Sequence, residues 1–136
     1  MNKVLGTAII VLALAIVIIP QYTNCSSEGR FLTLSSGKTT PMKCHWTARA
    51  EIAAGIPILG IGATMLFARK KESFRLLGGL SLVLAVMVML LPTSLIGVCN
   101  GAMLCDTVMK PTLLTLGSLV GVASVLGIIL SFRKGE

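Results

Sequence analysis

The chain has 136 residues, a length that predicts a single domain. Only 12% of its residues are charged and 54% are hydrophobic, whereas a soluble domain carries about twice that share of charges. The net charge of +7 does not indicate nucleic-acid binding, because the basic residues cluster at the ends of apolar runs and no basic stretch is interleaved with aromatic residues. Composition therefore predicts an all-α membrane protein.

Four apolar runs are predicted to cross the bilayer as helices. They extend from Val4 to Ile19, from about Ala50 to Ala68, from Leu76 to Leu91 with an extension to Val98, and from Thr112 to Phe132. A span needs about 17–25 residues, and the first and third runs reach that length with their flanking residues. Pro20 and Pro92 follow these two runs and predict that the helices end there. The predicted fold is one transmembrane four-helix bundle over residues 1–136.

The first run also has the layout of a signal peptide. The residues that follow it, Tyr22, Thr23 and Asn24, do not form a cleavage site of small residues, which favours a retained helix.

Basic residues near the helix ends predict the orientation. With the amino terminus inside, the cytoplasmic set has seven members, Lys3, Arg69, Lys70, Lys71, Arg75, Arg133 and Lys134. The external set then has five, Arg30, Lys38, Lys43, Arg49 and Lys110. The same orientation places all four cysteines outside. We therefore predict a multi-pass protein of the cytoplasmic (plasma) membrane, with both termini in the cytoplasm and extracytoplasmic cysteine loops.

The two halves of the chain repeat one order of landmarks. Lys3–Pro20 aligns without gaps on Arg75–Pro92, with identities at Leu5/Leu77, Gly6/Gly78, Val11/Val83, Leu12/Leu84, Ala13/Ala85 and Pro20/Pro92. Each half continues with a cysteine, a Met-x-Cys element, a basic residue and an apolar span. This order predicts a tandem duplication of a two-helix hairpin, residues 1–72 and 73–136, with a pseudo-two-fold axis along the membrane normal.

Small residues predict where the helices pack. Gly117 and Gly121 have GxxxG spacing in the fourth span, and Gly55 and Gly60 lie in the second. We expect these faces to form the contact between the repeats, and a homodimer seam is the alternative. Pro57 lies inside the second span and predicts a kink.

The four cysteines, Cys25, Cys44, Cys99 and Cys105, form the first candidate site. Cysteines outside the membrane tend to oxidise, and the repeat favours the pairs Cys25–Cys44 and Cys99–Cys105 among the three pairings that four cysteines allow. Two structural disulfides are the simplest interpretation. In span count and cysteine placement the chain also resembles the quinone-linked thiol oxidases of the disulfide-forming pathway, although it has no Cys-x-x-Cys.

The same loops combine thioether, thiolate and imidazole groups, which suit a soft ion such as Cu(I). The candidate ligands are Met42, Cys44, His45, Met103, Cys105 and Met109. Oxidised cysteines would be unavailable to a metal, and a histidine beside Trp46 is also typical of a membrane interface. Structural bridges and metal ligation therefore remain alternatives.

Glu51 is placed about one turn inside the second predicted span, where a charge needs a partner or water. Arg49, His45 and Lys110 are predicted near the same surface, so we expect an interfacial ion pair. No group of residues indicates a catalytic site, and no cofactor is predicted.

The segment from Met42 to Glu51, with Cys-His-Trp at its centre, resembles an uncharacterised family of small four-span prokaryotic membrane proteins, as do Cys99, Met103–Cys105 and Lys110–Leu113. The resemblance implies an unassigned function and an association with ABC-type exporters. We therefore expect a non-catalytic accessory subunit of a larger membrane complex with disulfide-pinned external loops. A thiol–disulfide oxidoreductase and a soft-metal handling protein are the alternatives. The expected partners are the bilayer and other membrane subunits, in a hetero-complex or a homodimer, and no nucleic acid.

Overall fold

The computed structural model describes residues 2–24, 29, 31–99 and 104–133. Helix α1 spans Asn2–Thr23, α2 spans Lys43–Phe67, α3 spans Lys71–Leu90 and α4 spans Lys110–Arg133. A first π turn, Leu91–Leu95, follows α3, and a second π turn, Cys105–Met109, leads into α4. Four stretches are long and apolar enough to cross a membrane: Lys3–Thr23, Lys43–Phe67, Lys71–Leu95 and Cys105–Arg133. The predicted all-α bundle of four membrane helices is confirmed.

The predicted end of the first helix and the predicted start of the second were wrong. Helix α1 continues through Pro20 to Thr23. At its end Thr23 Oγ1 donates to the carbonyl of Ile19 (2.9 Å) and Asn24 Nδ2 donates to that of Pro20 (2.9 Å), so side chains supply donors to the last carbonyl groups of the helix. Helix α2 begins at Lys43 rather than near Ala50. Hydropathy locates the apolar part of a helix, and the polar first turns of α2 lie outside that part.

The first π turn contains Pro92, which cannot donate a backbone hydrogen bond. The amides of Ile96 and Gly97 both donate to the carbonyl of Leu91, at 3.1 Å each. The chain then leaves the helix at Gly97, whose φ of +79° suits glycine. The third helical segment therefore passes its proline and ends at Leu95, short of the predicted extension to Val98.

Between α1 and α2 the chain forms a small hairpin that the sequence did not predict. Strand β1 (Leu32–Thr33) pairs antiparallel with β2 (Thr39–Thr40), with Leu32 opposite Thr40 and Thr33 opposite Thr39. All four strand residues are exposed. The hairpin therefore adds nothing to the core of the bundle.

Helix α1 packs against α2 at glycines. A Cβ on Gly6 would lie 2.9 Å from Leu66 Cδ2 and 3.2 Å from the Gly62 carbonyl oxygen. A Cβ on Gly55 would lie 2.5 Å from Val17 Cγ2 and 3.7 Å from the Ala13 carbonyl oxygen. Small residues at these points let the two backbones approach closely.

Helix α3 packs against α4 in the same way. A Cβ on Gly78 would lie 2.8 Å from Ile128 Cγ1 and 3.5 Å from the Ser124 carbonyl oxygen. A Cβ on Gly117 would lie 2.6 Å from Met89 Cγ and 3.4 Å from the Ala85 carbonyl oxygen. These four close contacts lie within the consecutive helix pairs, so the expectation that Gly55 and Gly117 join the two halves was wrong. The close glycine contact between the halves is at Gly127 of α4, where a Cβ would lie 2.8 Å from Leu5 Cδ2 of α1.

The other two predicted packing glycines make looser contacts or none. Gly60 is exposed, and a Cβ there would meet nothing within 4 Å. A Cβ on Gly121 would only reach Leu82 Cδ1 at 3.9 Å and Ala85 Cβ at 4.0 Å, which is ordinary contact. Pro57, the predicted kink position, lies within α2 and is exposed. The glycines of α2 that make close contacts with α1 are Gly55 and Gly62.

Candidate metal centre

Three cysteine sulfurs lie together at one end of the bundle, which we call the cysteine end. The Sγ atoms of Cys44, Cys99 and Cys105, hereafter the sulfur cluster, all lie within 4.8 Å of one another. Cys44 Sγ and Cys99 Sγ are 3.5 Å apart. Cys44 and Cys105 are fully buried, and Cys99 is half-buried. In a tetrahedral thiolate site with metal–sulfur bonds of about 2.3 Å, the sulfurs are about 3.8 Å apart, so the cluster has the dimensions of a metal site.

One hydrogen bond fixes Cys99 against α2. Thr47 Oγ1 donates to the carbonyl of Gly97 at 2.7 Å, and Thr47 is fully buried one turn after Cys44. Cys99 follows Gly97 by two residues, so the bond sets the path of the segment that carries its sulfur. Sequence reasoning missed both Thr47 and Gly97. The only signal is that Thr47 lies three residues after Cys44 and so shares its helical face.

The second π turn carries Cys105 and Met109, and both are fully buried. Hydrogen bonding from i to i+5 widens this turn, as in the bond from the Lys110 amide to the Cys105 carbonyl. Residues four apart in such a turn lie near the same face. Met109 belongs to the same buried apolar cluster as Cys44 and Cys105.

Of the remaining predicted ligands, His45 is not part of the cluster, Met42 packs against the apolar core that contains Cys44 and Cys105, and two lie outside the described residues. His45 stacks edge-on against Trp46, with ring centroids 5.8 Å apart. Its Nδ1 atom is buried and has no hydrogen-bond partner among the residues that the structure describes. Met42 is half-buried at the N-cap of α2. Cys25 and Met103 lie outside the described residues.

The disulfide pairs favoured by the repeat stay a prediction. Cys44 and Cys99, which that scheme places in different pairs, have the two sulfurs that are 3.5 Å apart. The predicted partner of Cys44 is Cys25, which is not among the described residues. Proximity of the sulfurs therefore allows pairings across the two halves of the chain.

Glu51 is fully buried in α2, and neither carboxylate oxygen has a hydrogen-bond partner in the described part of the chain. The predicted ion pair was wrong. Arg49 precedes Glu51 by two residues and therefore points about 200° away from it around the helix. Its side chain is exposed. Lys110, the other predicted cation, is half-buried at the start of α4. Because α2 begins at Lys43, Glu51 lies about two turns inside the helix rather than one.

Glu51 shares its face of α2 with the cluster. Cys44, Thr47, Ala48 and Glu51 are all buried and follow one another at helical spacing. Helical side chains lean toward the amino terminus of their helix, so the Glu51 side chain leans toward the turn below Cys44. The sequence shows this spacing, but the helix was predicted to begin near Ala50, which left Cys44 and Thr47 outside it.

A family model described as Domain of unknown function (DUF4418) matches residues 4–130. The chain belongs to this family. No curated protein and no solved structure matches it. The match covers most of every helix and all three cysteines of the sulfur cluster. Membership of an uncharacterised family is thereby confirmed, whereas its prokaryotic distribution and the Cys-His-Trp motif stay predictions.

Proposed function

We propose that this membrane protein binds a soft metal ion such as Cu(I) through the sulfur cluster. The observation that carries the proposal is the gathering of three cysteine sulfurs within 4.8 Å, two of them on fully buried residues. Thiolate sulfur is the ligand type that soft ions prefer. Burial keeps water from the site and so strengthens the attraction between cation and thiolates.

Met109 is the best placed fourth ligand. It lies four residues after Cys105 in the second π turn and is fully buried. A thioether binds Cu(I) or Ag(I) well and is a poor ligand for hard ions. A set of thiolates and a thioether therefore favours a soft ion over a hard one.

The experiment is a titration of the reduced, detergent-solubilised chain with Ag⁺, which mimics Cu(I) and does not change oxidation state. Native mass spectrometry should find one ion per chain. Each of Cys44→Ser, Cys99→Ser and Cys105→Ser should weaken binding by at least about tenfold, since even the loss of a group supporting a metal ligand costs that much. His45→Ala is the matched control and should bind as the wild type. Unchanged binding in the three serine variants overturns the proposal.

Thiol–disulfide exchange is the second candidate, and the half-buried position of Cys99 favours it. The Cys99 thiolate would attack a partner disulfide and release one partner thiol. Cys44 Sγ, 3.5 Å from Cys99 Sγ, would then attack the mixed disulfide, release the second partner thiol and leave a Cys44–Cys99 disulfide. An unchanged rate of reduction of partner disulfides in cells that carry Cys99→Ser eliminates this candidate.

We also propose that the fold is a duplicated helical hairpin, residues 1–72 and 73–136. Matching contacts support the duplication: Gly6 meets Gly62 and Leu66 as Gly78 meets Ser124 and Ile128, and Gly55 meets Ala13 and Val17 as Gly117 meets Ala85 and Met89. The first helices of the hairpins correspond at an offset of 72 residues and the second helices at 62. Glycine or serine occupies corresponding contact positions in both hairpins, at Gly6 and Gly78, Gly55 and Gly117, and Gly62 and Ser124.

We further propose that the cysteine end faces the outside of the plasma membrane, with both termini in the cytoplasm. The basic turn between α2 and α3, with Arg69, Lys70 and Lys71, lies at the opposite end of the bundle and supports this orientation. An accessory role in a larger membrane complex, such as an ABC-type exporter, stays a prediction. No contact of the described residues bears on it.

A further inference from the structure

We propose that a groove between α1 and α4 binds one anionic phospholipid, with an acyl chain along the groove and the phosphate group at Lys3. The groove lies on the lipid-facing surface of the bundle and begins at the end opposite the sulfur cluster. Its volume is about 620 Å³, within the range of roughly 300–1,000 Å³ that is typical of small-molecule sites. The site is separate from the metal centre and does not depend on it.

The groove has the length of one leaflet of the bilayer. It is lined on α1 by residues between Lys3 and Leu12 and on α4 by Leu119. At a rise of about 1.5 Å per residue this stretch of α1 is about 14 Å long, and half of a hydrocarbon core of about 30 Å is about 15 Å. An acyl chain that enters beside Lys3 therefore reaches the middle of the bilayer at Leu12.

A small side chain on α1 keeps the groove open. Helix α1 contacts α4 closely where Leu5 meets Gly127. Three residues further along, the exposed Ala8 lines the groove with a single methyl group. The position that corresponds to Ala8 in the second hairpin, at the offset of 72 residues, is occupied by Leu80. A leucine at position 8 would therefore fill space that the alanine leaves open.

Lys3 places a positive charge at the mouth of the groove. Its side chain is exposed, and its ammonium group has no ion-pair partner among the residues that the structure describes. The corresponding residue of the second hairpin is Arg75, whose guanidinium lies over the Phe132 ring, 3.9 Å from the ring centroid. Within the described structure the Arg75 charge is thus engaged by the protein, and the Lys3 charge is available for a phosphate. Basic side chains at helix ends extend to the level of the lipid headgroups.

The charge at this end of the bundle favours an anionic headgroup over a zwitterionic one. Glu72 is the one acidic residue described there, and the basic residues are Lys3, Arg69, Lys70, Lys71, Arg75 and Arg133. Each basic residue near the membrane surface favours an anionic lipid by a factor of about five. A second groove, of about 370 Å³ between α3 and α4, has no charged residue among its described lining residues, so nothing there selects a headgroup.

The first test is native mass spectrometry of the detergent-solubilised full chain with phosphatidylglycerol or phosphatidylcholine of identical acyl chains. The wild type should retain one phosphatidylglycerol per chain and bind it at least about fivefold more tightly than phosphatidylcholine. Lys3→Gln should bind phosphatidylglycerol about fivefold more weakly than the wild type, and Lys3→Arg should keep the wild-type affinity.

Lys70→Gln is the matched control for Lys3→Gln. Lys70 lies in the turn between α2 and α3, across the bundle from the contact between α1 and α4. This variant should keep the wild-type affinity for phosphatidylglycerol. Equal affinities of the wild type for the two lipids, or equal losses in Lys3→Gln and Lys70→Gln, overturn the proposal.

The second test separates the acyl chain from the headgroup. Ala8→Leu keeps every charge and fills the groove, so it should weaken binding of both lipids by about fourfold for each CH₂ group that it displaces. Gly60→Leu adds a leucine at an exposed position of α2, where a Cβ meets nothing within 4 Å, and should bind both lipids as the wild type does. Circular dichroism checks that each variant keeps its helical content. Wild-type binding of both lipids by a folded Ala8→Leu chain would exclude the groove as the site of the acyl chain.

Discussion

Met109 and Met65 are both almost completely buried, but Met109 lies at the cysteine end and Met65 near the other end of α2. If Met109 is a ligand, Met109→Leu should weaken Ag⁺ binding by about tenfold, because leucine keeps the volume and removes the thioether. Met65→Leu makes the same replacement at an equally buried position and should bind Ag⁺ as the wild type does. Equal affinities in the two variants would remove Met109 from the ligand set.

Thr47 anchors the segment that carries Cys99 through its hydrogen bond to the Gly97 carbonyl. Thr47→Val removes the bond to the Gly97 carbonyl and should lower the free energy of unfolding by about 1 kcal/mol. It should also slow formation of a Cys44–Cys99 disulfide under mild oxidation, measured by non-reducing peptide mapping. Thr64→Val is the control, since Thr64 Oγ1 donates only within its own helix, to Ile61. A Thr47→Val chain that cross-links at the wild-type rate would show that the bond does not position Cys99.

At this residue scale the sequence identified the ligand types but not their arrangement. Cys44, Cys105 and Met109 were all predicted as soft-metal ligands, because the residue type alone shows which side chains carry sulfur. That Cys99 joins Cys44 depends on a turn at Gly97 and a hydrogen bond across fifty residues of sequence, and neither follows from local spacing. Glu51 was assigned an exposed partner because its helix begins earlier than hydropathy indicates.

At the scale of elements, α2 contains a closely packed glycine, Gly55, and one that packs against nothing, Gly60, so the two can be compared within one helix. Gly55→Leu inserts a side chain where a Cβ alone would approach Val17 to 2.5 Å, and overpacking of this kind costs about 1–3 kcal/mol. Gly60→Leu places the same side chain where a Cβ meets nothing within 4 Å. Unfolding of the detergent-solubilised variants, followed by circular dichroism, should show a loss of stability for Gly55→Leu and none for Gly60→Leu. Equal losses would place the helix contact elsewhere.

The apolar lengths of the helices were predictable, but their ends were not. Lipid exposure imposes long runs without charges, which the sequence displays directly. The polar first turns of α2 and the two π turns are set by hydrogen bonds and by tertiary packing at the cysteine end, and they leave no periodic signal. The first π turn contains Pro92, which was interpreted as a helix end rather than as a position where a helix changes its hydrogen bonding.

At the scale of the whole molecule, the proposed orientation places the sulfur cluster outside the cell. An impermeant maleimide added to intact, reduced cells should label Cys99 of the wild-type protein. A Lys70→Cys probe in a chain without other cysteines lies in the turn between α2 and α3 and should be labelled only after the membrane is permeabilised. Labelling of the Lys70→Cys probe in intact cells would reverse the orientation.

The most direct measurement on the sulfur cluster is X-ray absorption spectroscopy of the reduced chain loaded with Cu(I). We predict one copper ion per chain with a first shell made only of sulfur, and a shell that loses a sulfur in Cys99→Ser but not in His45→Ala. A first shell of nitrogen or oxygen, or one with a single sulfur, would contradict a metal centre built from Cys44, Cys99 and Cys105.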